Sequence, residues 1–236
     1  MDRTREPERS TVVLHQELKE RAEPEWKEIV EHPFWAGVRD GSLPAGALTY
    51  FVEQCAGHVL PAYARAQART AAATRWDRHV VLLAQAAAGT VRARDRLLAA
   101  HNGLDAGLGV PRADPEAPAG AITHAHTTFL HAATATTVAA GMGALLPLTW
   151  FRQRIGDDLR RRRVPGSRHS AWIDIFQPGP EYAEAVSELE DAYDELGGLM
   201  ATPGRTELVE YFTLGLRYTA SVTKAAWAEA GQPAAR

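Results

Sequence analysis

Apolar residues recur every three to four positions along most of this 236-residue chain, and this spacing constrains the fold more than any other feature. The first such segment begins at Ser10 or Thr11 and carries apolar side chains at positions 13, 14, 18, 22, 26 and 29. No run of alternating β-branched residues is long enough to indicate a strand. The sequence therefore predicts an all-α bundle of about seven or eight helices.

Prolines and glycines divide this helical pattern into segments. The first helix is predicted to end near His32-Pro33, because the residue before a proline avoids the helical region. Further helices are predicted over 44–73 with a kink at Pro61, and over 75–102, 119–140, 142–163, 179–198 and 205–229. Gly141 and Gly143 predict a bend between two of these helices, and residues 103–118 a loop. Residues 1–9 are polar and predicted to be disordered, which leaves 10–236 as a single helical domain.

Charge and composition narrow the possible function classes. The net charge is -3 and the basic runs, at 92–96 and 160–163, are short, so the chain lacks the positive footprint that nucleic-acid binding requires. No stretch approaches the roughly 18 apolar residues of a membrane span. The single cysteine, Cys55, excludes an internal disulfide and a thiolate metal cluster. Because the N-terminus has no apolar signal core, the sequence predicts a cytoplasmic protein, and nothing in it indicates a metal or another cofactor.

Helical spacing places mixed polar and apolar side chains on four stripes that a bundle can turn toward one pocket. The stripes are Phe51, Cys55, His58 and Ala62; His126, Leu130 and Thr137; Leu148, Arg152 and Ile155; and Phe212, Gly215, Thr219 and Val222. Periodicity alone leaves another interpretation open. A lone histidine on an apolar face is more often a satisfied core residue, and a free cysteine is usually a small buried hydrophobe.

A series of short motifs follows in a fixed order along the chain. It comprises His32-Pro33-Phe34, residues 40–44 (DGSLP), Phe51 with Gln54, residues 63–66 (YARA), His101 with Gly109, residues 145–150 (LLPLTW) and Trp172-Ile173-Asp174. In this order and spacing the motifs resemble the TenA family (thiaminase II, aminopyrimidine aminohydrolase), and the matches extend from about residue 14 to 228. The resemblance implies a heme-oxygenase-like helical fold and a homo-oligomer, either a dimer or a tetramer.

The same resemblance implies that the catalytic groups of the family are replaced in this chain. The nucleophilic cysteine of the family falls on Leu148, its acid/base glutamate on Thr219, and the aspartate that follows the glutamine on Cys55. The pocket tyrosines of the family fall on His58, His126, Arg152 and Phe176. Since leucine cannot form a covalent intermediate and threonine cannot transfer protons near neutral pH, hydrolysis by the family mechanism is not expected. Residues 211–219 also lack the carboxylates and histidines of the di-iron relatives, so no metal site is expected.

The favoured hypothesis is a diverged, cofactor-independent enzyme of specialised metabolism. It would carry out a condensation, a cyclisation or a C–N bond step on a small, ring-containing substrate. The candidate catalytic residues are His58 and His126 as general acid and base, and Cys55, less favoured, as a thiol activated by His58. The candidate substrate-binding residues are Phe51, Leu148, Arg152, Phe176 and Thr219, of which Arg152 would hold a carboxylate or phosphate.

Two alternatives belong to other function classes. The first is a non-catalytic binding or carrier protein that holds a heteroaromatic ligand in the same pocket. The second is a transcriptional regulator, which is disfavoured because the chain shows no helix-turn-helix with a basic recognition helix.

Overall fold

The computed structural model describes residues 13–104, 109–177 and 179–230, and these residues form helices and loops without a strand. The helices are α1 (Leu14–Glu31), α2 (Pro33–Asp40), α3 (Ala45–Glu53), α4 (Leu60–Ala73), α5 (Asp77–Gly103), α6 (Ala121–Thr136), α7 (Val138–Arg162), α8 (Ser170–Phe176), α9 (Pro180–Leu199) and α10 (Thr202–Ala230). The predicted all-α class is confirmed. Residues 1–9, predicted to be disordered, lie outside the described residues.

The break between α1 and α2 has the cause that the sequence indicated. His32 takes an extended conformation before Pro33, and its ring Nδ1 accepts a hydrogen bond from the backbone N–H of Phe34. At the other end of α2, Gly41 has a φ of 86°, in the left-handed region where glycine is preferred. The two ends fix α2 as a short separate helix.

Helices α3 and α4 are joined by a π-helical turn, Gln54–Val59, which ends just before Pro61. Proline has no N–H to donate to the preceding turn, so the regular helical ladder is interrupted here, as predicted. The backbone N–H of Leu60 donates instead to the carbonyl of Cys55, five residues back. This wider turn changes which side chains of the segment share a face.

The predicted bend at Gly141 and Gly143 is wrong. The chain breaks at Thr137, which is extended and caps α7 by accepting a hydrogen bond from the N–H of Ala140 at 3.0 Å. Both glycines lie inside α7 and serve packing, because a Cβ on Gly143 would clash with the backbone carbonyl of Leu208 on α10. The boundary is therefore set by a threonine cap and not by glycine flexibility.

One cluster of buried apolar side chains runs through the described helices, and α7 lies inside it, packed against α1, α4, α6 and α10. Aromatic rings concentrate on one side of α7, where Trp35 contacts both Phe51 and Phe151 edge to face. Within the described residues, no helix is both long and apolar enough to cross a membrane.

Candidate functional site

A cavity of about 790 Å³ lies between α7 and the layer formed by α4, α5, α8 and α9. Its volume falls in the usual range for small-molecule sites. The wall residues of the α3–α4 segment are Phe51, Cys55, Leu60, Tyr63 and Gln67. Those of α7 are Leu145, Leu148, Thr149, Phe151 and Arg152. The cavity therefore collects side chains from several helices that are far apart in sequence.

The inner wall of the cavity is apolar and aromatic. Phe51, Leu148, Phe151 and Phe176 line it, and Trp35 supports the rings from behind, with its centroid 5.5 Å from Phe51 and 5.8 Å from Phe176. Since aromatic rings pack against flat apolar ligands with large contact area, this wall suits a ring-containing molecule.

Two tyrosines on the wall are already engaged by the protein. The Tyr63 hydroxyl lies 2.7 Å from the carbonyl oxygen of Leu145 and 2.6 Å from the hydroxyl of Thr149, and the Tyr182 hydroxyl donates to the carbonyl oxygen of Thr149 at 3.0 Å. Burial raises the pKa of Tyr63 and raises that of Tyr182 to about 12. Both phenols are therefore neutral at physiological pH and hold the wall in place.

Arg152 is half-buried in the cavity wall and lies 5.4 Å from the centre of the Tyr182 ring. Its Nε is buried and makes no hydrogen bond within the described part of the chain. Desolvation lowers the pKa of the Arg152 guanidinium, the nearby Tyr182 phenol opposes this shift, and the charge of Arg96 lowers the pKa further. A guanidinium still stays charged at neutral pH, so Arg152 places a positive charge beside the apolar wall.

Cys55 lines the cavity as the sequence indicated, but its thiol is not activated. Desolvation by the surrounding protein raises the pKa of Cys55 to about 12, so the thiol stays protonated near neutral pH. His58, the predicted activating base, does not line the cavity, and its Nε2 lies 2.7 Å from the carbonyl oxygen of Ala117. A carbonyl accepts, so this nitrogen carries the proton and donates.

The placement of His58 corrects the first predicted stripe, and the π-helical turn is the physical reason. The observed wall positions of this segment are 51, 55, 60, 63 and 67, with a step of five residues between Cys55 and Leu60. A stripe drawn with regular α-helical spacing instead selects His58 and Ala62. Leu60 and Tyr63 take their places on the wall.

His126 and Thr219 are also not on the cavity wall, because α6 and α10 pack on another side of α7. His126 is buried, and its ring stacks on that of Tyr218 with the centroids 5.7 Å apart. Burial lowers the pKa of His126 to about 4, so the ring is neutral. The Thr219 hydroxyl donates to the carbonyl of Gly215 at 2.9 Å. No residue of the second or the fourth predicted stripe lines the cavity, so the expectation that four stripes meet at one pocket is wrong for both.

The structure thus brings five of the eight predicted site residues to one cavity: Phe51, Cys55, Leu148, Arg152 and Phe176. It adds Tyr63, Tyr182, Arg92 and Arg96, which the sequence analysis did not assign to a site. The sequence contains a feature that could have identified the two arginines as site residues, because they lie four residues apart on one helix and so share a face. No such feature identifies Tyr182, because its helix follows a loop and helical periodicity does not predict the course of a loop. The chemical roles predicted for the site residues stay predictions.

No group of three or more histidine, cysteine or carboxylate side chains suited to a metal ion occurs in the described ranges 13–104, 109–177 and 179–230. The predicted absence of a metal thus stays a prediction.

The chain is similar to proteins of known family and fold. The model of the TENA/THI-4/PQQC family matches residues 19–229. The aminopyrimidine aminohydrolase of Bacillus subtilis (strain 168) is 24% identical over 205 residues, which are 86% of this chain and 85% of that protein. A TenA homologue protein from P. horikoshii OT3 superposes with a TM-score of 0.75 at 22% identity, covering 93% of this chain and 100% of its own. A domain with a heme oxygenase-like fold from Shewanella denitrificans OS217 gives a TM-score of 0.67 at 15% identity, with 91% and 92% covered. These two structures establish the fold.

Proposed function

The chain belongs to the TENA/THI-4/PQQC family, and from this premise we propose that it binds a small, ring-containing molecule in the cavity and does not hydrolyse aminopyrimidines. The observation that carries the proposal is the wall itself, where Leu148 and three phenylalanines form an apolar surface in a cavity whose volume, about 790 Å³, is typical of small-molecule sites. Its setting would be specialised metabolism, as predicted from the sequence.

The loss of hydrolysis follows from the groups that face the cavity. Leu148 occupies the position at which the resemblance places a nucleophile, and a hydrocarbon side chain cannot attack a ring. Cys55 is nearby, but its thiol stays protonated at neutral pH. Tyr63 and Tyr182 are likewise held in their neutral forms. Acid/base catalysis is most efficient when the pKa lies near the working pH, so these groups support binding better than turnover.

Aminopyrimidine hydrolysis can be tested directly. Purified protein incubated with an aminopyrimidine should release no ammonia above the rate of a protein-free blank, whereas the Bacillus subtilis relative provides the positive control. Ammonia release that depends on this protein and disappears in the Leu148→Ala variant would contradict the proposal, because it would place the reaction at the cavity.

Binding can be tested with a matched pair of glycine variants. Gly89 lines the cavity and Gly46 lies exposed on α3, and a Cβ at either position would meet nothing within 4 Å. Gly89→Leu should fill part of the cavity and still stabilise the free protein by about 0.5–1 kcal/mol, because leucine favours a helix over glycine. We expect benzyl alcohol, an uncharged ring compound, to raise the Tm of the wild type and of Gly46→Leu but not of Gly89→Leu. An equal rise in all three would place the ring elsewhere.

A second candidate function is the enzyme predicted from the sequence, a catalyst of a condensation, cyclisation or C–N bond step. It is favoured by His126, whose Nδ1 is buried without a hydrogen-bond partner among the described residues, so this nitrogen is not engaged by the protein. Such a role requires a movement that brings His126 or His58 to the cavity. Once a turnover assay exists, His58→Ala and His126→Ala should each lower kcat, and full turnover by both variants would exclude this candidate. The homo-oligomer stays a prediction.

A further inference from the structure

Three arginines line the cavity without a carboxylate in ion-pair contact. Arg152 of α7 lies in the wall, and Arg92 and Arg96 of α5, one helical turn apart, lie at its exposed edge. In the described part of the chain, none of the three forms an ion pair. Two carboxylates, Glu181 and Glu188, also line the cavity, but neither forms an ion pair with these arginines.

The other described arginines that are buried or half-buried all pair with a carboxylate, and some exposed ones do as well. Arg39 pairs with Asp158 at 2.5 Å, Arg154 with Glu23 at 2.7 Å, and Arg162 with Glu31 at 2.6 Å. Several exposed arginines, such as Arg65 and Arg217, form no ion pair within the described residues, as is the case for Arg92 and Arg96. Among the described arginines that are not exposed, however, Arg152 is the one without a carboxylate partner. A charge that is partly removed from water and repelled by a like charge is costly unless something compensates it.

The geometry of Arg152 fits an anion as the compensating group. Its Nε is desolvated and makes no hydrogen bond within the described ranges, and its guanidinium lies at the boundary between the apolar wall and the arginines of α5. A planar guanidinium offers paired N–H donors that match two oxygens of a carboxylate or a phosphate. A ligand that fills both regions must therefore join a ring to an oxyanion.

We propose that the ligand of this cavity is a ring compound that carries a phosphate monoester, bound by Arg152 and Arg96 with Arg92 at the edge. The inference deepens the proposed function and rests on it. A phosphate monoester is favoured over a carboxylate because its charge approaches two near neutral pH and its three terminal oxygens can accept from two guanidinium groups at once. The ring would lie against Phe51 and Phe176, and the phosphate would face α5.

The test uses three probes that share a ring and differ in charge: phenyl phosphate, benzoate and benzyl alcohol. Calorimetric titration of the wild type should give the tightest binding for phenyl phosphate, at least about tenfold tighter than for benzyl alcohol, as expected for charge-assisted hydrogen bonds. Arg152→Met and Arg96→Gln should each weaken phenyl phosphate binding by about tenfold or more and leave benzyl alcohol binding unchanged. Arg94→Gln is the matched control, because Arg94 lies on the same helix, pairs with Asp95 and does not line the cavity.

The outcomes separate this inference from the proposed function. Benzoate binding as tight as phenyl phosphate binding overturns the assignment of a phosphate. If all three probes bind alike to the wild type and to both arginine variants, the ring site stands and the anion site is wrong. If no probe binds to the wild type, or Gly89→Leu binds all three unchanged, the proposed function itself fails. Phenyl phosphate binding that is weakened equally by Arg94→Gln would reduce the effect to general surface charge and also overturn the inference.

Discussion

Arg152 and Arg154 lie two residues apart on α7 and meet opposite surroundings. Arg154 donates to the carboxylate of Glu23 on α1, on the side of the molecule where Arg39 and Asp158 form a buried ion pair. Arg152 lines the cavity and has no acidic partner among the described residues. One face of the helix therefore compensates its charges within the fold, and the other presents a charge to a cavity.

The two faces of α7 separate a charge that stabilises the fold from a charge that the fold leaves unpaired. A buried pair such as Arg39–Asp158 is explained by the folded protein alone, because each charge satisfies the other. A half-buried cation without a carboxylate partner has no such explanation, because the Tyr182 ring 5.4 Å from Arg152 opposes the desolvation of the guanidinium without cancelling it.

The largest effect is expected on the compensated face. Asp158→Ala removes the carboxylate that Arg39 contacts at 2.5 Å and leaves a cation buried, which should lower the free energy of unfolding by about 3–5 kcal/mol. Asp157→Ala is the control, because Asp157 pairs with Arg160 in water and should cost less than about 1 kcal/mol. Urea unfolding of both variants measures the difference. An equal loss of the free energy of unfolding in both variants would mean that the buried Arg39–Asp158 pair matters no more for stability than an exposed one.

The second largest effect is expected for a buried histidine, His126, whose titration makes the free energy of unfolding depend on pH. Burial lowers the pKa of His126 to about 4 from the ordinary 6.5, so the unfolded chain binds more protons than the folded one between these values. This part of the stability is fully present above about pH 6.5 and is lost as the pH falls toward 4. The slope is at most about 1.4 kcal/mol per pH unit for one such group.

A matched pair of variants isolates this titration. His126→Gln should show a smaller loss of the free energy of unfolding between pH 7 and pH 4.5 than the wild type, whatever its stability at pH 7. His124→Gln should keep the slope of the wild type, because His124 is exposed on the same helix. Parallel pH profiles for all three proteins would show that His126 is not held neutral by burial.

The residues of this comparison also show what the sequence could predict. The sequence predicts a shared pocket for Leu148 and Arg152 because they lie four residues apart on one helix, and both line the cavity. His58 was assigned to it by the same rule, which failed because the π-helical turn inserts an extra residue between the wall positions Cys55 and Leu60. Regular spacing cannot reveal such a turn, although Pro61 marks where the helix is disturbed.

A different limit applies to Thr219 and His126. Helical spacing defines which residues share a face, but the packing partner of that face depends on contacts far away in sequence. Phe212, on the stripe of Thr219, packs edge to face on Trp150, and His126 stacks on Tyr218, so both residues lie on buried faces. These faces pack on a part of α7 that does not face the cavity, which only the assembled fold determines. Thr137, predicted to share the stripe of His126, is exposed and lies beyond the end of α6.

The smallest effect is also the most direct test of the contrast, and it compares Arg152→Met with Arg154→Met. Arg154→Met removes an exposed ion pair and should lower the free energy of unfolding by up to about 1 kcal/mol. Arg152→Met removes a desolvated cation that Arg96 repels, so it should cost less than Arg154→Met or even stabilise the free protein, with the lost contact to the Tyr182 ring limiting the gain.

Ligand should reverse that order. With phenyl phosphate at about 100 times the Kd of the wild type, the free energy of unfolding of the wild type and of Arg154→Met should each rise by about 2.7 kcal/mol. That of Arg152→Met should rise far less, because its site is weakened. Urea unfolding with and without phenyl phosphate measures both states of each variant. Arg152→Met could instead lower the free energy of unfolding without ligand and gain as much from phenyl phosphate as the wild type. That result would mean that Arg152 stabilises the fold, as Arg154 does, and does not bind the ligand.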